Sequence, residues 1–84
     1  MMKYDHLTLV ILTPEKEVFR GDVASVTLPG TKGRFQVLPN HAPLISSLQE
    51  GNVVYVVGAE EQTLHVKNGF VEVNGENVNV CVEL

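Results

Sequence analysis

GRFQVLPNHAPL, running from Gly33 to Leu44, is the stretch whose reading decides the fold. Phe35, Val37 and Leu38-Pro39 read as an apolar strand that stops abruptly. Pro39 has no backbone N–H to give a ladder, so it suits a strand end or an edge. Asn40 tolerates the left-handed backbone that a tight turn needs. Pro43 holds Ala42 out of the helical region. Leu44-Ile45 then resumes an apolar run. A strand, a rigid corner and a new strand are packed together, with His41 held at the corner.

Strand signals continue on both sides of this stretch. Towards the N-terminus, Leu7 to Thr13 is apolar on both faces, which predicts a central strand. Pro14-Glu15-Lys16 is a turn. Glu17 to Arg20 is a short strand ended by Gly21-Asp22. Val23 to Leu28 alternates, with Ala24, Val26 and Leu28 on one side and Ser25 and Thr27 on the other. Pro29-Gly30 reads as a type II turn in which Gly30 supplies the positive φ. Lys32-Gly33 swings the chain into the central stretch.

Towards the C-terminus, Leu44 to Leu48 is a strand or short irregular segment, and Glu50-Gly51-Asn52 is a turn. Val53 to Val57 is the most strand-like run in the chain. Gly58 to Glu61 is a hairpin loop. Gln62 to Lys67 alternates, with Leu64 and Val66 inward and His65 and Lys67 outward. Asn68-Gly69 marks a bulge or break. Phe70 to Val73 and Val78 to Leu84 flank an Asn-Gly hairpin signal at 74–77. In the last strand Val78, Val80, Val82 and Leu84 oppose Asn79, Cys81 and Glu83. No segment carries a convincing amphipathic helix. Many short strands with frequent turns predict one all-β domain over residues 1–84, a sandwich or barrel.

Composition narrows the function classes. Apolar residues make up 44% of the 84, enough for a core and against disorder. Net charge is −4, which gives no electrostatic footprint for nucleic acid and no basic patch for anionic lipid. The single cysteine, Cys81, excludes an internal disulfide and suits a reducing compartment. The apolar run from Leu7 to Leu12 is far too short for a membrane span. Asp5 sits where a signal peptide carries its basic region. These features read as a soluble cytosolic chain with no direct membrane insertion.

No motif for chemistry emerges. His6, His41 and His65 are scattered, without a metal-ligand spacing, so no metal site is expected. Ser46-Ser47 and Cys81 lack a nucleophile elbow, so no catalytic group is expected. Gly30-Thr31-Lys32-Gly33 is followed by a strand, whereas a phosphate loop feeds a helix N-terminus. No cofactor is expected. His41 has two readings that stay open together: a ring nitrogen pinning the corner, or a side chain presented to a partner. Surplus apolar residues on several strands leave material for a docking face.

The GxFxVLPNHAPL pattern resembles the epsilon subunit of the rotary F-type ATP synthase (delta in mitochondrial naming). Leu9-Val10-Ile11-Leu12-Thr13-Pro14-Glu15 and Val18-Phe19-Arg20-Gly21-Asp22-Val23 are similar to that family's opening strands. Pro29-Gly30 and Gly33 fall on its PG-x-x-G turn. Gly51-Asn52-Val53 and Gly69-Phe70-Val71-Glu72-Val73 match later strands. The resemblance covers the whole chain in order.

The resemblance implies a single β-sandwich of two antiparallel five-stranded sheets, about ten strands, that does no chemistry itself. It implies a central-stalk rotor part that binds the gamma subunit and sits on the polar loops of the c-ring. It further implies a peripheral place on the cytoplasmic face of the bacterial inner membrane, coupling proton or sodium flow to ATP synthesis. Thr13, His41 and Ser46 fall at positions resembling the gamma-facing surface. Gly33 and Arg34 fall in the loop resembling the c-ring contact. Gly30, Pro39, Asn40, Pro43 and Gly69 match its structural turns.

Arg34 stands where an acidic residue is common, so charge complementarity towards the c-ring is rearranged. Gln36 and Asn68 stand where glycine is frequent. The family's C-terminal helical hairpin has no counterpart here, so no hairpin-mediated inhibition and no hairpin ATP site are expected. The competing class is a small β-sandwich ligand-binding module, which calls for exposed aromatics lining a groove. The aromatics here, two Tyr and three Phe with no Trp, read mostly as core. A small β-barrel enzyme would need converging polar groups, and the sequence shows no such cluster.

Overall fold

Valine-rich alternation resolves into nine strands in the computed structural model, which describes residues 3–84. They are β1 (Leu7–Leu12), β2 (Glu17–Val23), β3 (Ser25–Gly30), β4 (Gly33–Val37) and β5 (Leu44–Leu48). The rest are β6 (Gly51–Val57), β7 (Glu60–Val66), β8 (Asn68–Asn74) and β9 (Asn77–Glu83). No described residue is helical. Met1 and Met2, the start of the segment read as lacking a signal peptide, lie outside the described residues.

Hydrogen bonding runs without a break in the order β2-β1-β9-β8-β5-β3-β6-β7, with β4 on the other side of β3. The sheet curls so that β2-β1-β9-β8-β5 faces β4-β3-β6-β7. The halves join at one pairing, Gly30 with Leu48, and approach again where the Phe19 and Tyr55 rings lie 4.7 Å apart. The all-β class expected from the pattern, and the sandwich that the resemblance implied, are present. Its layers hold five and four strands, not five and five, and the single joining pair makes one continuous sheet.

In most strands every second residue faces inward because side chains alternate across a pleated sheet, as in β5, β8 and β9. Leu7, Leu9 and Ile11 of β1 are fully buried against Val26, Leu28, Val37 and Val53. Val71, Val73, Val78, Val80 and Val82 complete the same core. Burial of each such side chain contributes about 1.5–3 kcal/mol before chain entropy is counted. β1 is central, as its two-sided apolarity predicts. Its neighbours are antiparallel β2 and parallel β9.

Several local readings give way to tertiary pairing. Gly21-Asp22 does not end a strand. They pair with Leu9 and Thr8, and the Phe19 ring covers Gly21, with its Cζ 3.2 Å from where a Cβ would stand. Pro29-Gly30 is not a turn but the buried end of β3. The loop is Thr31-Lys32, and the positive φ, 129°, belongs to Gly33. Gly30 is glycine because a Cβ there would lie 2.7 Å from the Gly33 carbonyl oxygen.

Gly51-Asn52 and Glu60-Glu61 belong to β6 and β7, leaving Gly58-Ala59 as the loop. Asn68-Gly69 is strand, not a break. Ala24, Leu84 and Phe70 are exposed, although periodicity or apolarity placed them inward. For the glycine-containing segments a ladder partner on another strand overrode a local turn preference, whereas Ala24 and Leu84 lie outside the strands and Phe70 is turned outward by the alternation that buries Val71.

Candidate functional site

Asn40 holds the left-handed conformation, with φ 69°. Its side-chain Oδ1 accepts hydrogen bonds from the Lys3 and Tyr4 backbone N–H groups at 2.9 and 3.0 Å. Its Nδ2 donates to the Tyr4 carbonyl at 2.7 Å. One side chain thus clamps the N-terminal segment to the corner. The His41 backbone N–H donates to the Leu38 carbonyl at 3.2 Å, closing the turn that contains Pro39. His41 Nδ1 donates to the Ala42 carbonyl at 2.7 Å. Pro43, exposed, leads directly into β5.

Thr13 follows β1 at the opposite end of the sheet. Its N–H and the Lys16 carbonyl meet at 2.8 Å, and its Oγ1 accepts from the Lys16 N–H at 3.1 Å, which closes a small turn. The register separates the two ends. Leu44, next to the His41 corner, pairs with Val73, whereas Leu48 pairs with Gly69, beside Phe70 and its β9 partner Cys81. Ser46 sits between them, half-buried on the side of Val71, with its Oγ donating to the Ser47 carbonyl at 3.0 Å. Thr13, His41 and Ser46 are therefore not clustered.

Gly33 and Arg34 are adjacent and exposed at the β3–β4 turn. A Cβ at Gly33 would meet nothing within 4 Å. Arg34 Nη1 donates to the Asn52 carbonyl at 2.8 Å, so the guanidinium lies over the start of β6. The turn is tied to β5 through the Thr31 N–H and the Ser47 carbonyl at 3.1 Å, and through their hydroxyls at 2.8 Å. Beside it, His65 Nδ1 contacts Asn52 Oδ1 at 2.9 Å and Nε2 contacts Glu50 Oε2 at 3.2 Å. This polar group was not legible in sequence, because Glu50, Asn52 and His65 meet only through β6–β7 pairing.

The outer face of the five-stranded half carries an apolar row. Ser47, Phe70, Cys81 and Leu12 are successive partners across β5, β8, β9 and β1. Paired residues share a face, so these side chains stand together. Phe70 is 52% and Leu12 37% exposed, and Ile45, two residues from Ser47, is 76% exposed. A shallow groove of ≈ 410 Å³ lies here, with Leu12, Thr13, Pro14, Phe70 and Cys81 among its lining residues. The signal was present in the sequence. With Val71 and Val73 inward, period two forces Phe70 outward. Among the described residues no group of three or more His, Cys, Asp or Glu is arranged to hold a metal ion. Among the described residues no helix is long and apolar enough to cross a membrane.

A family model described as the ATP synthase delta/epsilon chain β-sandwich domain matches residues 6–84. The chain is 40% identical over 78 residues to the ATP synthase epsilon chain of Caulobacter vibrioides, covering 93% of this chain and 88% of that one. It is 34% identical over 82 residues to the ATP synthase epsilon chain of Leptospira interrogans, covering 98% of this chain and 65% of that relative's length. In structure it is similar to a chain of the Euglena gracilis mitochondrial ATP synthase. That match has a TM-score of 0.88 at 20% identity, over 94% of this chain and 51% of the other. A chain from the Tetrahymena thermophila mitochondrial ATP synthase central stalk and c-ring gives 0.81 at 15% identity, over 100% and 67%. The two structural likenesses bear on the fold.

Proposed function

This chain belongs to the delta/epsilon family of ATP synthase β-sandwich domains, and from that premise we propose that it is a non-catalytic part of the rotor. It docks the gamma subunit onto the c-ring polar loops and so couples proton or sodium transport to ATP synthesis. It works as a peripheral subunit on the cytoplasmic side of the bacterial inner membrane. Stiffness under torque is the physical demand. A curled sheet with few free strand edges and a valine-packed core meets it.

The observation that carries this reading is the apolar row of Leu12, Phe70 and Ile45 on the outside of the sheet. A chain of this size gains nothing from exposing such residues unless a partner covers them. We assign the outer face to gamma, with Thr13 on its border and His41 further along; Ser46, half-buried on the inner side with Val71, lies off this face. A standard interface of about 800 Å² per partner is about 30 Å across. Strands of five to seven residues span about 17–23 Å, so one footprint reaches both Thr13 and His41. Gly33 and Arg34 are assigned to the c-ring.

Calorimetric titration of the purified chain against its cognate gamma subunit tests the reading. One-to-one binding with a clearly negative heat-capacity change is expected, the signature of apolar burial. Absence of binding to folded gamma overturns the direct docking. Arg34→Glu reverses an exposed charge that, among the described residues, is held by the Asn52 carbonyl. It is expected to weaken attachment of the chain and gamma to the c-ring about tenfold, while leaving gamma affinity unchanged. An equal fall in gamma affinity would show that the two faces are wrongly divided.

A further inference from the structure

His6 stands among carboxylates from different parts of the chain. Its Nδ1 lies 2.8 Å from Asp5 Oδ1, on its own segment. Its Nε2 lies 3.4 Å from Glu76 Oε2, in the β8–β9 turn, and 3.7 Å from Asp22 Oδ1, near the end of β2. The His6 side chain is 40% exposed, so it is reachable by solvent protons. Among the described residues, none of these carboxylates forms an ion pair with Lys or Arg.

The two ring nitrogens make different demands. A neutral imidazole carries one N–H, and Asp5 takes it at Nδ1. Nε2 then presents a lone pair to the oxygens of Glu76 and Asp22, which is repulsive. Only the imidazolium gives each nitrogen a proton and each side a partner. Segment 3–6 belongs to no strand and has few other holds. The Asn40 amide grips Lys3 and Tyr4, and the Thr8 N–H donates to the Glu76 carbonyl at 2.8 Å just beyond it.

We propose that His6 is a proton-operated clasp. Protonated, it ties segment 3–6 to β2 and to the β8–β9 turn, and through Asn40 it sets how firmly the His41 corner is held. The clasp stands on this geometry and does not depend on which partner meets the corner.

Electrostatics act in the same direction. The hydrogen bond to Asp5 raises the His6 pKa above its ordinary value near 6.5; partial burial opposes this, and the charges of Asp22, Asp5 and Glu76 add to the rise. A histidine whose folded pKa is raised contributes stability that is fully present below the unfolded value. That stability is lost as pH rises through the folded value. The clasp therefore loosens above about pH 6.5.

Three measurements on the full chain test the clasp. The first is a proton NMR titration of the His6 ring. The second is thermal unfolding between pH 6 and 8.5 for the wild type, His6→Gln and Glu76→Gln. The third is amide exchange of Lys3 and Tyr4, whose N–H groups are the ones Asn40 accepts. His6 is expected to titrate above its ordinary value. The wild-type Tm is expected to fall about 2–4 °C relative to His6→Gln across that range, with Glu76→Gln intermediate. Protection of the Lys3 and Tyr4 amides, corrected for intrinsic exchange, is expected to fall about two- to fivefold in the wild type alone. A His6 titration at or below the ordinary value overturns the proposal. So do Tm profiles of wild type and His6→Gln that run parallel in pH.

Discussion

Gly69→Ala is expected to destabilise the domain by about 3 kcal/mol or more, a large share of the roughly 4–13 kcal/mol that a chain of this size holds. A Cβ at Gly69 would lie 2.8 Å from Val82 Cγ1 and 2.9 Å from Val82 Cα, and would overlap the Cys81 carbonyl oxygen. Backbone cannot yield as a flexible side chain does. Gly69 pairs with Val82 on one side and Leu48 on the other, so a shift would disturb ladders on both sides. Its φ of 156° adds strain for any L side chain. Urea denaturation of Gly69→Ala beside Gly33→Ala separates the two contributions. Gly33 also has positive φ, but open space surrounds it, so its substitution is expected to cost only about 1 kcal/mol. Equal losses at the two positions would mean that close strand approach is not what demands glycine at 69.

The second large effect concerns binding. Phe70→Ser is expected to weaken gamma binding about 30-fold or more, since aromatic anchors near an interface centre commonly carry at least about 2 kcal/mol each. Phe70 is 52% exposed in the free chain, and its strand neighbours Val71 and Val73 hold the core without it. Folding stability should therefore move by no more than about 0.5 kcal/mol. Calorimetry and a urea melt on the same sample decide the matter. Unchanged affinity with an intact fold would remove the outer face from the interface and return attention to the His41 corner.

These expectations draw unequally on sequence and fold. Phe70 faces outward by the same alternation that turns Val71 and Val73 inward, so the docking row was legible in part. Its continuity was not, because Ser47, Phe70, Cys81 and Leu12 come from four strands whose order includes a parallel β1–β9 neighbour. The clasp at His6 was equally invisible. Asp22 and Glu76 are far from His6 along the chain and meet it only because β2 flanks β1 and the β8–β9 turn lies at the start of β1.

By itself the sequence determined the all-β class, the core valines of the last strand, the Asn-Gly hairpin and the rigid corner at Pro39-Asn40. These follow from side-chain period and backbone preference, which act within a few residues. Only the tertiary structure decided that Gly30 and Gly69 serve close packing of strands and not turns, and that Thr13 and His41 lie at opposite ends of the sheet. Strand pairing is a long-range choice. It minimises the free energy of the whole buried surface, and a glycine's role depends on which backbone arrives opposite it.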